Sequence, residues 1–407
     1  MTSVRTLAAI ALSLAAAGLL SAQSASFTVT AIPPVHGKVQ LTPSLPADGK
    51  YPAGAVVTLT ATPDSGYALD STWYSVRGAF GQMFHEAPTL EDKIVIDQDK
   101  QVGASFVEES AVKNLVVTNN VIFAKPGVKA LKYDVYSPKG ARNLPIIVII
   151  HGGGWNANDE DVMRGLAREL TKDGKFVAVS MDYRWSAKSD GDATSNTMAN
   201  LIEDVFGGIA HIMEHAAEYG GDPTRIGVTG DSAGGHLSAA ASLMTGMIGS
   251  HGFGKTPGVF EFMPSYLPKG KTVEQVRAEM MKAIQAGAPS YGVFSPAQLH
   301  SYSDDPAANQ SWVDAIAPLL HIPAATERSV PQFLTRGTND RLISDASVKE
   351  FTDALVKACQ RVEYVQVGGA NHAFFDWKPN ESTKVTFAKY GVYYAAAMRG
   401  FFTSVLY

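Results

Sequence analysis

The sequence predicts an α/β fold, a mostly parallel sheet with helices on both faces, preceded by a small all-β domain. Three observations predict it. The run LPIIVII, residues 144–150, is continuously apolar, as a strand buried on both faces must be. From about residue 109 onward, strand-like and helix-like stretches alternate, the pattern of a parallel sheet wrapped by helices. Between residues 26 and about 107, apolar and polar residues alternate with period two between Pro, Gly and Asp turns, and no useful helical periodicity appears.

In chain order, residues 1–25 come first. Arg5 precedes a Leu/Ala/Ile run that ends in small residues around Ala22 to Ala25. This is the three-part pattern of a secretory signal peptide, which places the mature protein outside the cytoplasm, secreted or periplasmic. The apolar run, roughly 15 residues, is short of the roughly 20 that a membrane span needs. No Cys stands near the cleavage region for a lipid anchor.

Residues 26–108 form the predicted β domain. Its stretches GKVQLTP, YPAGAVVTLTATPDSGYALDSTW and DKQVGASF resemble the small bacterial repeat domain related to the internalin B-repeat. The resemblance implies a compact β appendage, here in one copy. Contact with a surface polysaccharide and a passive spacer are both open roles. The aromatics Tyr51, Tyr67, Trp73, Tyr74, Phe80 and Phe84 serve as well in a core as on a binding face.

Residues 109–407 form the predicted catalytic domain. After LPIIVII come a helix through DVMRGLARELTKDG, a strand at KFVAVSMDY and a helix through NLIEDVFGGIAHIMEHAAEY. TRIGVTG, AIQAGAPSYGVFS, VPQFLTRGTND and VEYVQVGGANH read as later strands, ASVKEFTDALVKAC as a helix and KYGVYYAAAMRGFFTSVLY as the last helix. The long segment 246–325, with its aromatics and Met, reads either as core packing or as a lid.

Composition narrows the function. With 407 residues, 45% hydrophobic and 18% charged, the chain has ample core material, and a net charge of −5 without a Lys/Arg cluster excludes a nucleic-acid partner. Cys359 is the single cysteine, so no intrachain disulfide forms, and its helix-like surroundings predict a structural thiol. No spacing of His, Cys and Asp suggests a metal, and no Gly-rich loop carries the Lys of a phosphate cradle, so no cofactor is expected.

The chemistry concentrates in VTGDSAGGHLSAAASL. Gly230-Asp231-Ser232-Ala233-Gly234 reads as G-x-S-x-G between a strand and an Ala-rich helix, the turn that lifts a serine oxygen above a sheet edge. A serine hydroxyl is a weak nucleophile and needs an imidazole to take its proton and a carboxylate to orient that imidazole. Asp340 and His372 each follow a predicted strand, in the chain order Ser, Asp, His. The run His151-Gly152-Gly153-Gly154-Trp155 follows LPIIVII, so Gly153 and Gly154, with Ala233 after the serine, are the candidate oxyanion donors. Rival residues are His300 and His321 for the base, and Asp345 and Asp376 for the acid. Asp345 reads as a helix cap. His151 and His236 read as structural, Asp182 and Arg184 as an ion pair or hydrogen-bonding residues, and Asp304 with Asp305 as a solvated turn.

HGGGW, DYR, GDSAGGHLS, GTNDRLIS and GANHAFF together resemble the esterase and lipase branch of the α/β-hydrolase superfamily, over about residues 112–405. The pattern is most similar to carboxylesterases that include feruloyl and acetyl-xylan esterases. The resemblance implies Ser232 as nucleophile, Asp340 as acid and His372 as base. Around the acid the chain has Asn339-Asp340-Arg341-Leu342, not the Asp-Pro-Leu of hormone-sensitive-lipase relatives, which favours the feruloyl and acetyl side. The expected substrate is a small or polymeric ester. A lipid esterase, a peptidase and a non-catalytic binding protein on the same fold stand as alternatives.

Overall fold

The computed structural model describes residues 25–78, 81–302 and 309–407. The signal-peptide reading, Phe80, and Asp304 with Asp305 fall outside the described residues.

The first part is all β: β1 (Ser26–Ala31), β2 (Gly37–Thr42), β3 (Lys50–Pro52), β4 (Ala55–Pro63), β5 (Tyr67–Gly78), β6 (Gly81–Ala87), β7 (Glu91–Ile96) and β8 (Lys100–Glu108). They form a five-stranded sheet in the order β3-β1-β8-β5-β6 and a three-stranded sheet β2-β4-β7. Alternation along β4 turns Val57, Leu59 and Ala61 inward, where they meet Leu41, Ile94, Ile96 and Phe106 in a core of their own. Of the module's aromatics, Tyr51 and Trp73 are buried core residues.

The second part is built on an eight-stranded sheet, described among these residues in the order β16-β15-β14-β13-β11-β12-β10-β9. Its strands are β9 (Leu115–Ala124), β10 (Leu131–Pro138), β11 (Leu144–Ile150), β12 (Val177–Met181), β13 (Gly221–Asp231), β14 (Ile284–Ser290), β15 (Gln332–Gly337) and β16 (Val362–Val367). From β12 to β16 every pairing is parallel, while β10 pairs antiparallel with both β12 and β9. Ile146–Ile150 are fully buried, as strands covered on both faces must be. Covering helices include α1 (Arg164–Thr171), α2 (Met198–His215), α3 (Ala233–Leu243), α4 (Val273–Ala283), α5 (Pro296–Tyr302), α6 (Gln310–Ala315), α7 (Asp345–Lys357), α8 (Glu381–Thr386) and α9 (Val392–Leu406).

Three details differ from the sequence reading. The antiparallel pair β9 and β10 precedes the first strand that apolar runs point to: β9 is largely exposed, and β10, though mostly buried, interrupts its apolar residues with Lys132, Asp134 and Ser137. Cys359 is exposed with φ 58, beyond the end of α7, where its N–H bonds Val356 O in a closing turn, so it is no buried structural thiol. Ser344, not Asp345, caps α7, its side chain accepting from Ser347 N. In segment 246–325, Phe262 and Met280 are fully buried and Phe253 stacks on Phe262 with centroids 4.9 Å apart, so these side chains belong to the core.

Candidate active site

The sheet register builds the site. Ile150 on β11 pairs with Gly230 on β13, which sets the 151–155 loop beside the Ser232 turn. Ser232 has φ 52 and ψ −114, a strained backbone for a residue with a Cβ and a mark of sites where geometry is imposed. The flanking glycines are required by close approach. A Cβ on Gly230 would lie 2.4 Å from Gly234 O, and one on Gly234 would lie 2.0 Å from Ile150 O. The turn is held by Ser232 N donating to Ser290 O at 3.0 Å, across β14.

Ser232, His372 and Asp340 lie in one hydrogen-bonded line. His372 Nε2 is 2.9 Å from Ser232 Oγ, and His372 Nδ1 is 2.8 Å from Asp340 Oδ2. Asp340 follows β15 and His372 follows β16, adjacent parallel strands, so 140 positions of sequence separation close at the sheet's C-terminal edge. The other Asp340 oxygen is fixed by its own turn: Oδ1 accepts from Leu342 N at 2.8 Å and Ile343 N at 2.9 Å. Burial would raise the Asp340 carboxyl, but the bond to His372 and these two N–H groups hold it below its ordinary value. It therefore stays a carboxylate. The Tyr291 ring packs against the His372 ring, centroids 4.7 Å apart.

On the oxyanion side, Gly152 N already donates to Asp231 Oδ1 at 2.6 Å. That leaves the N–H groups of Gly153 and Gly154 as the loop's next donors. Ala233 opens α3, where an N–H has no carbonyl a turn earlier in the helix to bond.

The rival residues are placed elsewhere. His300 is exposed beside Gln310, and His321 bonds Asp314 O at 2.8 Å. Asp345 accepts from Tyr364 and Gln366. His151 is fully buried, stacks on Tyr183 at 4.2 Å and bonds Asp182, which orders its loop. His236 accepts from Trp155 Nε1, bonds Ile316 O, and burial pushes it down to about 4, which keeps it neutral. Asp182 and Arg184 each form an ion pair, but not with one another: Asp182 takes Lys129 at 2.8 Å and Arg184 takes Asp204 at 2.8 Å.

The rival acid Asp376 does not bond His372, and sequence reasoning missed that it pairs with Asp231 beneath the site. Asp231 and Asp376 are both buried, at 2% and 7% exposure, and the charge of Asp376 bears on Asp231. Burial raises both above the ordinary carboxyl value, Asp231 also through the charge of Asp376, while Lys378 and His372 oppose the rise at Asp376, so the pair keeps a proton that neither would hold in water. The available signal was an acid directly before the serine, with no cap or turn to make, and an unusually aromatic FFDW run just after His372.

A parallel sheet with this turn, this hydrogen-bonded line and this order of residues defines an α/β-hydrolase. The chain belongs to the BD-FAE family, whose model matches residues 133–355, and residues 27–110 match the divergent InlB B-repeat domain. The probable carboxylic ester hydrolase LipM of Mycobacterium tuberculosis (strain ATCC 25618 / H37Rv) is 30% identical over 249 residues, 56% of this chain and 49% of that protein. Carboxylesterase NlhH of Mycobacterium tuberculosis (strain CDC 1551 / Oshkosh) is 36% identical over 124 residues, 30% of this chain and 37% of that protein. The chain thus spans about half the length, or less, of these curated relatives. Two solved structures share the fold. The truncated form of a carbohydrate esterase from gut microbiota aligns with TM-score 0.53 at 22% identity, covering 71% of this chain and 95% of that one. Thermogutta terrifontis esterase 2 phosphoramylated by tabun aligns with TM-score 0.52 at 22% identity, covering 70% and 93%.

Proposed function

We propose that the protein is an exported serine carboxylesterase that hydrolyses its substrate through an acyl-enzyme on Ser232. The observation that carries the reading is the line Ser232 Oγ, His372, Asp340 at 2.9 and 2.8 Å, beside a loop of backbone donors. Ser232 Oγ attacks the ester carbonyl carbon while its proton passes to His372 Nε2. The carbonyl electron pair moves onto oxygen, where the N–H groups of Gly153, Gly154 and Ala233 receive it. When the tetrahedral centre collapses, the bond to the alcohol oxygen breaks and that oxygen takes the proton from His372. Water then repeats the sequence on the acyl-serine, its proton going to His372 and returning to Ser232 Oγ. Asp340 keeps His372 Nδ1 protonated and offsets the charge the imidazole gains. None of these steps calls for a cofactor.

The substrate class is an ester on a plant-type polysaccharide, acetyl or feruloyl. The chain's membership of its family supports this, as does its similarity to a carbohydrate esterase fold. A groove of about 1080 Å³ along the seam between module and hydrolase domain, lined by Tyr67, Trp377, Lys139 and Glu108 among others, supports polymer contact through the module. The leader pattern supports export, and a mature chain beginning after Ala22 to Ala25 is its test by intact mass. Rates on p-nitrophenyl acetate, methyl ferulate and acetylated xylan test the substrate. Turnover of the last two at rates comparable with the first is expected, and turnover of long-chain lipid esters alone would contradict it.

A further inference from the structure

The β-module is tied to the loop behind His372 by buried polar contacts. Asp70, on β5, directs its carboxylate out of the module. Its Oδ1 accepts from Arg168 Nη1 on α1 at 2.7 Å, with Arg164 Nε 3.5 Å away. Its Oδ2 accepts from Trp377 Nε1 at 2.7 Å and from Ser105 Oγ at 3.2 Å. Glu86, on β6, pairs with Arg164 Nη2, and Arg164 Nη1 donates to Asp161 Oδ1 at 2.7 Å. The Arg168 guanidinium lies over the Trp377 ring, 4.7 Å from its centroid. Asp70, Arg164 and Arg168 are buried and the Glu86 side chain is only 4% exposed, and burial that would raise the Asp70 carboxyl is outweighed by the two guanidiniums, so it stays charged.

Trp377 belongs to the loop that leaves His372. Its N–H donates to Val162 O at 2.8 Å, so Asp70 and Val162 grip the indole and the backbone of one residue. Between His372 and Trp377 the loop closes on itself through Asp376 N donating to Ala373 O at 3.3 Å, and the Tyr291 ring packs against His372, Phe374 and Phe375 alike. Contacts therefore run from the module through Trp377 to the loop that carries His372.

We propose that the β-module is a working part of the active site: Asp70 is a positioning residue that, through Trp377, holds the His372 loop in place beside the Ser232 turn. This rests on the esterase reading of the site. The physical ground is that reacting groups must be held closely, since a misplacement of about 1 Å can cost roughly 10²-fold in rate. The ground for Asp70 in particular is that no other carboxylate accepts from the Trp377 indole among the described residues.

The test uses the full-length chain. Trp377→Phe keeps an aromatic ring at the position and removes the N–H that Asp70 accepts, together with part of the indole's packing area. Asp70→Asn keeps the shape and removes the charge. The exposed module residue Val56 supplies the control, Val56→Ser. Steady-state constants on p-nitrophenyl acetate and the rate of labelling by a sulfonyl fluoride are read together with the melting temperature. Each network variant is expected to lose about tenfold in kcat, with KM within twofold and labelling slowed in step. The double variant should lose less than the product of the single losses, the sign of one shared pathway. Wild-type kcat in Trp377→Phe overturns the proposal, whatever happens to the melting temperature. So does a loss in Asp70→Asn that is fully additive with that of Trp377→Phe. Should Asp70→Asn fail to fold, Trp377→Phe carries the test alone. Wild-type hydrolysis that vanishes in Ser232→Ala keeps the esterase reading intact, so a normal Trp377→Phe then counts against the positioning role only. A wild-type chain without ester hydrolysis overturns both.

Discussion

Replacing Asp340 by Asn removes one charge and almost no volume, and the structure says which way the new amide must face. Asp340 Oδ1 accepts two backbone N–H groups, Leu342 at 2.8 Å and Ile343 at 2.9 Å. An amide NH2 turned toward those donors would set donor against donor, and leaving two buried N–H groups unpaired costs about 1–3 kcal/mol each. The amide oxygen therefore stays on the turn and its NH2 faces His372 Nδ1. That nitrogen must then accept, which moves the imidazole proton to Nε2, the atom 2.9 Å from Ser232 Oγ. A protonated Nε2 cannot take the serine proton. The same forced tautomer in a serine protease lowers kcat by about 10⁴, equivalent to roughly 5 kcal/mol of barrier. We expect a loss of that order for Asp340→Asn on p-nitrophenyl acetate, with circular dichroism unchanged. Asp340→Ala imposes no tautomer and should be at least as active as Asp340→Asn, although its turn is destabilised. Asp340→Asn retaining more than about a tenth of wild-type kcat would refute the tautomer argument and the assignment of Asp340 together, a margin far outside the expected 10⁴.

Two shorter expectations follow from the same geometry. Gly234→Ala drives a Cβ to within 2.0 Å of Ile150 O, and the elbow cannot move without breaking the β11–β13 register, so a loss of about 1–3 kcal/mol in urea unfolding is expected. An unchanged midpoint would contradict the close approach. The Asp231–Asp376 pair has raised pKa values in the folded chain, so its contribution to stability is full below the ordinary Asp value of about 4 and is lost as pH rises through the raised values. Asp376→Asn supplies a permanent donor to Asp231, and its melting temperature should fall less with rising pH than that of the wild type; parallel curves would sink the shared-proton account.

The sheet and the candidate site differ in how legible they are. LPIIVII announces a doubly covered strand because nothing else explains seven apolar residues in a row, and it is β11 to the residue. GDSAGG and HGGG reveal themselves by steric need, since a Cβ would meet main chain at 2.2 Å on Gly153, 2.4 Å on Gly230 and 2.0 Å on Gly234, a need that sequence shows as an absence of side chains. β9 escapes because it is largely exposed and polar at its centre, and β10 because, though mostly buried, it sets Lys132, Asp134 and Ser137 among its apolar residues and shows no apolar run. The partners of Asp182 and Arg184 escape for another reason. They come from Lys129 and from Asp204 on α2, and only the fold decides which elements meet. Asp70 is the extreme case. Within ALDSTW it is one polar residue on a strand of a module with its own core, and its importance lies entirely in Arg168 and Trp377, which are far away in sequence.

The central claim is that Ser232 forms the covalent intermediate. Its most direct measurement is the intact mass of the chain, with peptide mapping, during inactivation by a sulfonyl fluoride. The account requires one adduct per chain, located on Ser232, with ester hydrolysis falling in proportion to the labelled fraction and no adduct on the Ser232→Ala chain. An adduct at another residue, or full hydrolysis from a chain fully labelled at Ser232, would contradict it.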